Sequence, residues 1–285
     1  MQLATLSLDG TTSAAHRTDA GWVLLPGFAD VRAVLEDPRG PHAVVEAVSA
    51  GTVEGAGSGE GASAAVVPES EARLVRPVRE PRKVFCIGLN YRNHILEVGM
   101  ELPTYPTVFT KFARSLAEPG ADILAPAEDE RLDYEGELVL VIGKEGRRIP
   151  AEQALDHVAG YTVGNDFSMR GYQLRTEEWG QGKMWEASSA VGPVVVTTDE
   201  FDPAGATLTT RVNGEVRQQD STGDLVFGPA DLVSYLSTII TLEPGDLVFT
   251  GTPGGVGMAT QTWLEAGDEV TVEIDGIGAI TNRLI

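Results

Sequence analysis

Asp133-Tyr134-Glu135-Gly136-Glu137-Leu138-Val139-Leu140-Val141-Ile142 reads as a strand. Its tail is branched and apolar, and Gly143-Lys144-Glu145-Gly146 stops it. Side chains of a strand alternate between two faces, so residues i and i+2 share a face roughly 6.5–7 Å apart. Glu135 and Glu137 therefore point the same way. Like charges at that spacing repel, and folding alone gives no reason for them. A hard divalent cation removes the objection by taking oxygens from both carboxylates. A solvated strand face is the bland alternative. Against it, Val139 and Val141 on one face and Leu138 and Leu140 on the other carry the strand into an interior, where paired carboxylates need a partner.

The bulk numbers limit the rest. A chain of 285 residues with 42% hydrophobic content has material for one large domain or a small and a medium one. No apolar run reaches the roughly 18 residues of a membrane span, and Met1 to Leu6 has no signal-peptide pattern. The single cysteine, Cys86, excludes an intrachain disulfide and reads as a core residue. These features predict a cytoplasmic protein. The net charge of -21 disfavours nucleic acid and anionic lipid as partners. It also means that a site for an anionic substrate needs local positive charge or a metal.

Residues 1–72 read as a small N-terminal α+β accessory unit. Gly21 to Leu25 is a strand candidate, Asp30 to Glu36 a short helix, and 51–65 a Gly/Ser/Ala-rich loop. The main domain, 75–285, opens on Lys83 to Leu89, a strand apolar enough to be buried on both faces. Asn93 can cap a short helix that Gly99 ends. His94 and Glu97 then lie i and i+3 on one helix face, where a carboxylate fixes and strengthens an imidazole base. Spacing alone favours an ordinary surface pair over a catalytic dyad.

Thr107 to Lys111 is a strand ending in lysine. Tyr161 to Asp166 is another, with Asp166 a third candidate carboxylate at its end. A helix over Ala154 to Val158, a helix over Pro229 to Ile240, and hairpins at Asn213-Gly214 and Asp275-Gly276 complete the outline. Gly251-Thr252-Pro253-Gly254-Gly255-Val256-Gly257 follows a strand and could offer backbone N–H groups to an anion. It does not match the dinucleotide-binding glycine pattern, and Gly180-Gln181-Gly182-Lys183 does not match a phosphate loop.

In order along the chain, Gly88-Leu89-Asn90-Tyr91 with His94 and Glu97, Asp133 to Leu138, Gly164 to Arg170, Gly182-Lys183, Gly192-Pro193 and Gly251-Thr252-Pro253 resemble the fumarylacetoacetate hydrolase family. The resemblance covers 75–285. It implies a mostly β fold with helices, a mixed β-sheet roll, in a homodimer binding Mg2+, Mn2+ or Ca2+, with Mg2+ or Mn2+ expected. By the same resemblance Glu135, Glu137 and Asp166 are the metal ligands. His94 and Glu97 become the water-activating dyad, and Lys183 the active-site lysine. The first 70 residues carry none of the family motifs. Met184-Trp185-Glu186-Ala187-Ser188 stands where many members have Ser-Phe-Asp.

The activity so implied is hydrolysis of a carbon–carbon bond in an acylpyruvate, a small anionic 2-oxo acid. Arg170 and Gln173 are candidates to hold substrate oxygens, Thr252 the pyruvoyl carboxylate, and Tyr91 and Lys111 further contacts. Decarboxylation of oxaloacetate-like acids, or isomerisation of 2-hydroxy-dienedioates, would use the same site without a hydrolytic water. Lys183, Arg170, Lys111 and Arg92 exceed what one carboxylate needs. That surplus leads to the expectation of a second carboxylate on the substrate, as in fumarylpyruvate.

Overall fold

The computed structural model describes residues 1–51, 64–97 (the Glu97 side chain excepted) and 99–285. The expected loop at 51–65 falls outside them, save for its ends. The expected strand is present as Gly136–Ile142, every residue of it buried, near the middle of a 12-stranded mixed sheet. It pairs antiparallel with Val158–Asn165 on one side and with Leu247–Phe249 on the other. Leu247–Phe249 in turn pairs parallel with Val84–Gly88, and the strand Thr107–Lys111 closes that end.

The two faces of Gly136–Ile142 bury into different clusters, as its alternation requires. Leu138, Leu140 and Ile142 join a core that includes Leu208, Val270, Val272 and Ile274 of a separate four-stranded antiparallel sheet. Val139 and Val141 join Cys86, Leu247, Phe249 and the apolar residues of the N-terminal helices Val31–Leu35 and Pro41–Ser49. The central sheet is thus a layer covered on both sides. Cys86 is fully buried in it, and burial pushes its thiol well up, as a core cysteine's would be.

The N-terminal strands Gln2–Leu8 and Thr11–Thr18 extend the same sheet, the first pairing with Ser189–Thr197. The small sheet contains the expected hairpin, whose Asn213 and Gly214 both take positive φ, 52° and 81°. Two local expectations shift. Ala151–His157 is a 3-10 helix, starting three residues before the expected one. The short helix runs Arg92–Glu97, two residues earlier than a cap at Asn93 implies. Its first turn is satisfied instead by Asp224, whose Oδ2 accepts from the Asn93 N–H at 2.8 Å, while the Asn93 side chain turns to Asp220. A carboxylate from a distant turn outcompetes the local amide because it brings full charge to the helix N-terminus.

A candidate metal centre in a mostly apolar cavity

Glu137 lies in the central strand opposite Gly164, where a side chain would run into Phe249 and Val139. Glu135 sits just before that strand. Its backbone still continues the ladder: the Asp166 N–H donates to the Glu135 carbonyl at 2.8 Å, and the Glu135 N–H donates to Asn165 Oδ1 at 3.0 Å. That ladder seats Asp166 beside the pair. All three carboxylates are buried, and one ligand oxygen from each lies within 4.8 Å of the others. Three hard oxygen donors converging this way fit a divalent cation.

The electrostatics are uneven. Burial alone would raise the Glu135 carboxyl, but Lys183 and Arg170 hold it at about 2. Lys183 Nζ is 2.6 Å from Glu135 Oε2 and 3.3 Å from Asp166 Oδ2. Arg170 Nη1 is 2.6 Å from Glu135 Oε1. Among the described residues no cation is ion-paired to Glu137. Burial pushes its carboxyl well up, and Asp166 and Glu135 push it further against a weaker pull from Lys183; the Gly251 N–H donates to it at 2.6 Å. Gly251 takes φ +101°, which a side chain would strain, and that turn aims its N–H inward.

A ligand carboxylate must be ionised, whereas burial and its acidic neighbours favour the protonated form of Glu137, so ion binding here is coupled to proton release and affinity falls as pH falls. We expect a calorimetric binding enthalpy at pH about 6 that varies with the buffer's ionisation enthalpy. The dependence should vanish in Glu137→Gln. A buffer-independent wild-type enthalpy would contradict this account.

A cavity of about 260 Å³ opens over this cluster, just below the roughly 300–1,000 Å³ of drug-sized ligand sites. Of the residues singled out in the sequence, His94, Glu135, Arg170, Gln173, Lys183 and Thr252 line it. Tyr91 does not line it: it is fully buried, and its hydroxyl has no hydrogen-bond partner among the described residues. Lys111 lies beneath the site, with Nζ 2.6 Å from Asp166 Oδ1 and a hydrogen bond to the Lys183 carbonyl. The Glu97 side chain is outside the described residues, so the expected dyad is represented here by His94 alone.

The glycine-rich loop does hold anions, and they are the chain's own. Gly257 and Met258 N–H donate to Asp133 at 2.7 and 2.9 Å, and Gly251 to Glu137. Thr252 Oγ1 donates to the Gly136 carbonyl and accepts from Gln218. The surplus of cations counted in the sequence is likewise absorbed. Arg170 clamps Asp133 and Glu135, Lys111 sits on Asp166, and Arg92 is exposed and outside the cavity lining. Missing from the sequence reading were the apolar lining residues, Leu89, Phe109, Leu174, Trp179, Val256 and Met258. Three of them share motif stretches, but no periodicity marks them as neighbours.

A family model described as the C-terminal domain of fumarylacetoacetate hydrolase matches residues 83–285. The mitochondrial oxaloacetate tautomerase Fahd2a of Rattus norvegicus is 40% identical over 224 residues, 77% of this chain and 72% of that protein. Among solved structures, fumarylacetoacetate hydrolase from Exiguobacterium antarcticum superposes with a TM-score of 0.82 at 32% identity, covering 100% of this chain and 99% of its own. Fumarylpyruvate hydrolase from Pseudomonas aeruginosa, in complex with Mn2+ and pyruvate, gives 0.67 at 37% identity over 74% of this chain and 91% of that one. Among the described residues, no helix is long and apolar enough to cross a membrane.

Proposed function

This chain belongs to the fumarylacetoacetate hydrolase family, whose relatives include hydrolases and tautomerases, and on that premise we propose that it hydrolyses a carbon–carbon bond in an acylpyruvate with a divalent ion bound. The observation that carries the reading is the convergence of buried Glu135, Glu137 and Asp166 under a cavity lined by His94 and Lys183. The similarity to a fumarylpyruvate hydrolase holding Mn2+ and pyruvate supports it. All three protein donors are carboxylate oxygens, which suits Mg2+ or Mn2+, with Ca2+ also accommodated.

An ion held by the three carboxylates would supply positive charge beside the oxygens of the 2-oxo acid end. The rest of the work falls to side chains. His94, 7% exposed at the cavity wall, takes a proton from water as the oxygen attacks the distal acyl carbonyl. Lys183 stays charged. Burial works against its ammonium, but Asp166 and Glu135 outweigh it and raise its pKa. It donates to the oxygen that becomes negative as the tetrahedral adduct forms. The carbon–carbon bond then breaks with its electron pair going to the pyruvate fragment, which leaves as its enolate and takes up at carbon the proton that His94 took from water. The acyl group departs as a carboxylic acid. Gln173 and Thr252 orient the substrate oxygens.

The 40% identity to an oxaloacetate tautomerase favours a second reading on the same site. Tautomerisation moves one proton between carbon and oxygen and consumes no water. Decarboxylation would release carbon dioxide. Acetylpyruvate, fumarylpyruvate and oxaloacetate, each assayed with and without EDTA, separate the three by product: pyruvate plus an acid, carbon dioxide, or no change of composition. Turnover that survives EDTA, or absence of acid product from every acylpyruvate, would sink the hydrolase reading. His94→Ala is expected to lower hydrolysis about a hundredfold, the lower range for a positioned base, with Mn2+ affinity retained. Near-normal hydrolysis in that variant would remove His94 from the role.

A further inference from the structure

We infer that the acyl end of the substrate is uncharged and apolar, and that Trp179, set against Gly88 and Phe109, is the residue that selects it. This rests on the reading that a 2-oxo acid end binds at the carboxylate cluster, and deepens it. The charges come first. Around the cluster stand four carboxylates, Asp133, Glu135, Glu137 and Asp166, against three cations, Lys111, Arg170 and Lys183, every one already paired to a carboxylate at 2.6–2.7 Å. The protein side is one negative charge in excess, and a divalent ion turns that into one positive. One substrate carboxylate balances it. A second would be buried with no counter-charge, which is costly.

The outer cavity offers no remedy. Among the described residues, Arg170 and Lys183 are the only lysine or arginine side chains lining it, and both are committed at the cluster. Apart from Glu135, Arg170 and Lys183, the polar side chains of the lining are His94, Gln173 and Thr252, and the rest is mostly apolar: Leu89, Phe109, Leu174, Trp179, Val256 and Met258.

The wall is built rather than incidental. Trp179 lies so close over Gly88 that a Cβ there would come within 2.3 Å of its ring. Phe109 meets Trp179 edge-on, with ring centroids 6.1 Å apart and planes at 68°. Lys183 Nζ is 5.4 Å from the Phe109 ring centroid. Lys183, Phe109 and Trp179 therefore form a continuous run from the reacting end outward. A chain extending from the distal carbonyl travels along aromatic surface, where each buried methylene contributes and a carboxylate would be stripped of water.

The test is binding, so it does not depend on which reaction is catalysed. The full chain loaded with Mn2+ is titrated calorimetrically with 2-oxoglutarate and with 5-methyl-2-oxohexanoate, in which two methyl groups replace the two distal carboxylate oxygens. The methyl compound should bind at least tenfold tighter. Trp179→Ala and, separately, Gly88→Ala should cut that preference below about threefold, and Trp179→Phe should keep most of it. Equal or tighter binding of 2-oxoglutarate, no binding of either acid, or an unchanged preference in a folded Trp179→Ala would overturn the inference. Preference without hydrolysis of any acylpyruvate would leave the inference standing and remove the hydrolase reading alone.

Discussion

The double variant Glu135→Gln, Glu137→Gln is expected to bind Mn2+ at least about a hundredfold more weakly than the wild type, by calorimetry. Substituting groups that merely orient metal ligands already costs roughly 10–100-fold in affinity, and here two of three charged donors are lost. The fold should survive. Glutamine keeps the volume of glutamate, and its Oε1 can still accept from the Gly251 N–H that now reaches Glu137 at 2.6 Å. Lys183 keeps Asp166, 3.3 Å away, as a partner. Circular dichroism and melting before titration separate lost ligands from lost structure. Full affinity in the folded double variant would place the ion elsewhere.

How much of this was legible depended on distance along the chain. The central strand was, because branched apolar residues ending in a glycine turn are a local signal. So was the pairing of Glu135 with Glu137, although Glu135 lies just outside the strand and is aimed by the Asp166 N–H and Asn165 rather than by alternation alone. The N-terminal strands Gln2–Leu8 and Thr11–Thr18 gave little local sign, their many small and polar residues being placed by pairing with each other and with Ser189–Thr197, Leu74–Val75 and Gly21–Leu24. The glycine loop was correctly read as anion-binding, but the anions proved to be Glu137 and Asp133, over 100 positions away. Counting cations succeeded as a count and misled as chemistry, since a sequence shows charges without their partners. The Trp179 wall left no periodic trace: its contacts Gly88 and Phe109 come from two other strands, and only the folded sheet joins them.

Arg170→Ala should be the most destabilising of these changes, by about 3–5 kcal/mol, the cost of breaking one side of a buried ion pair. For a chain of this size that is roughly 5–15 °C in Tm, measured in EDTA so that no ion compensates. Arg170 is 2% exposed, with Nη2 2.7 Å from Asp133 Oδ2, Nη1 2.6 Å from Glu135 Oε1, and Gln173 as a further acceptor. Asp133 would retain the N–H groups of Tyr134, Gly257 and Met258. Glu135 would depend on Lys183, which it shares with Asp166. The pH dependence gives a second check. In the wild type the Glu135 carboxyl, despite its burial, is held at about 2 by Lys183 and Arg170. Its unfolded value is roughly 4.3, so its ionisation stabilises the fold above that pH, and the contribution fades as pH falls toward about 2. Without Arg170 the folded value moves up and that contribution shrinks, so wild type and variant differ most near pH 7 and converge on acidification. A deficit equal at pH about 7.5 and about 3 would mean that the variant loses packing around its aliphatic stem rather than charge. Arg170→Met, which keeps a stem and drops the charge, distinguishes the two directly: it should melt close to Arg170→Ala if the ion pairs dominate, and close to wild type if packing does.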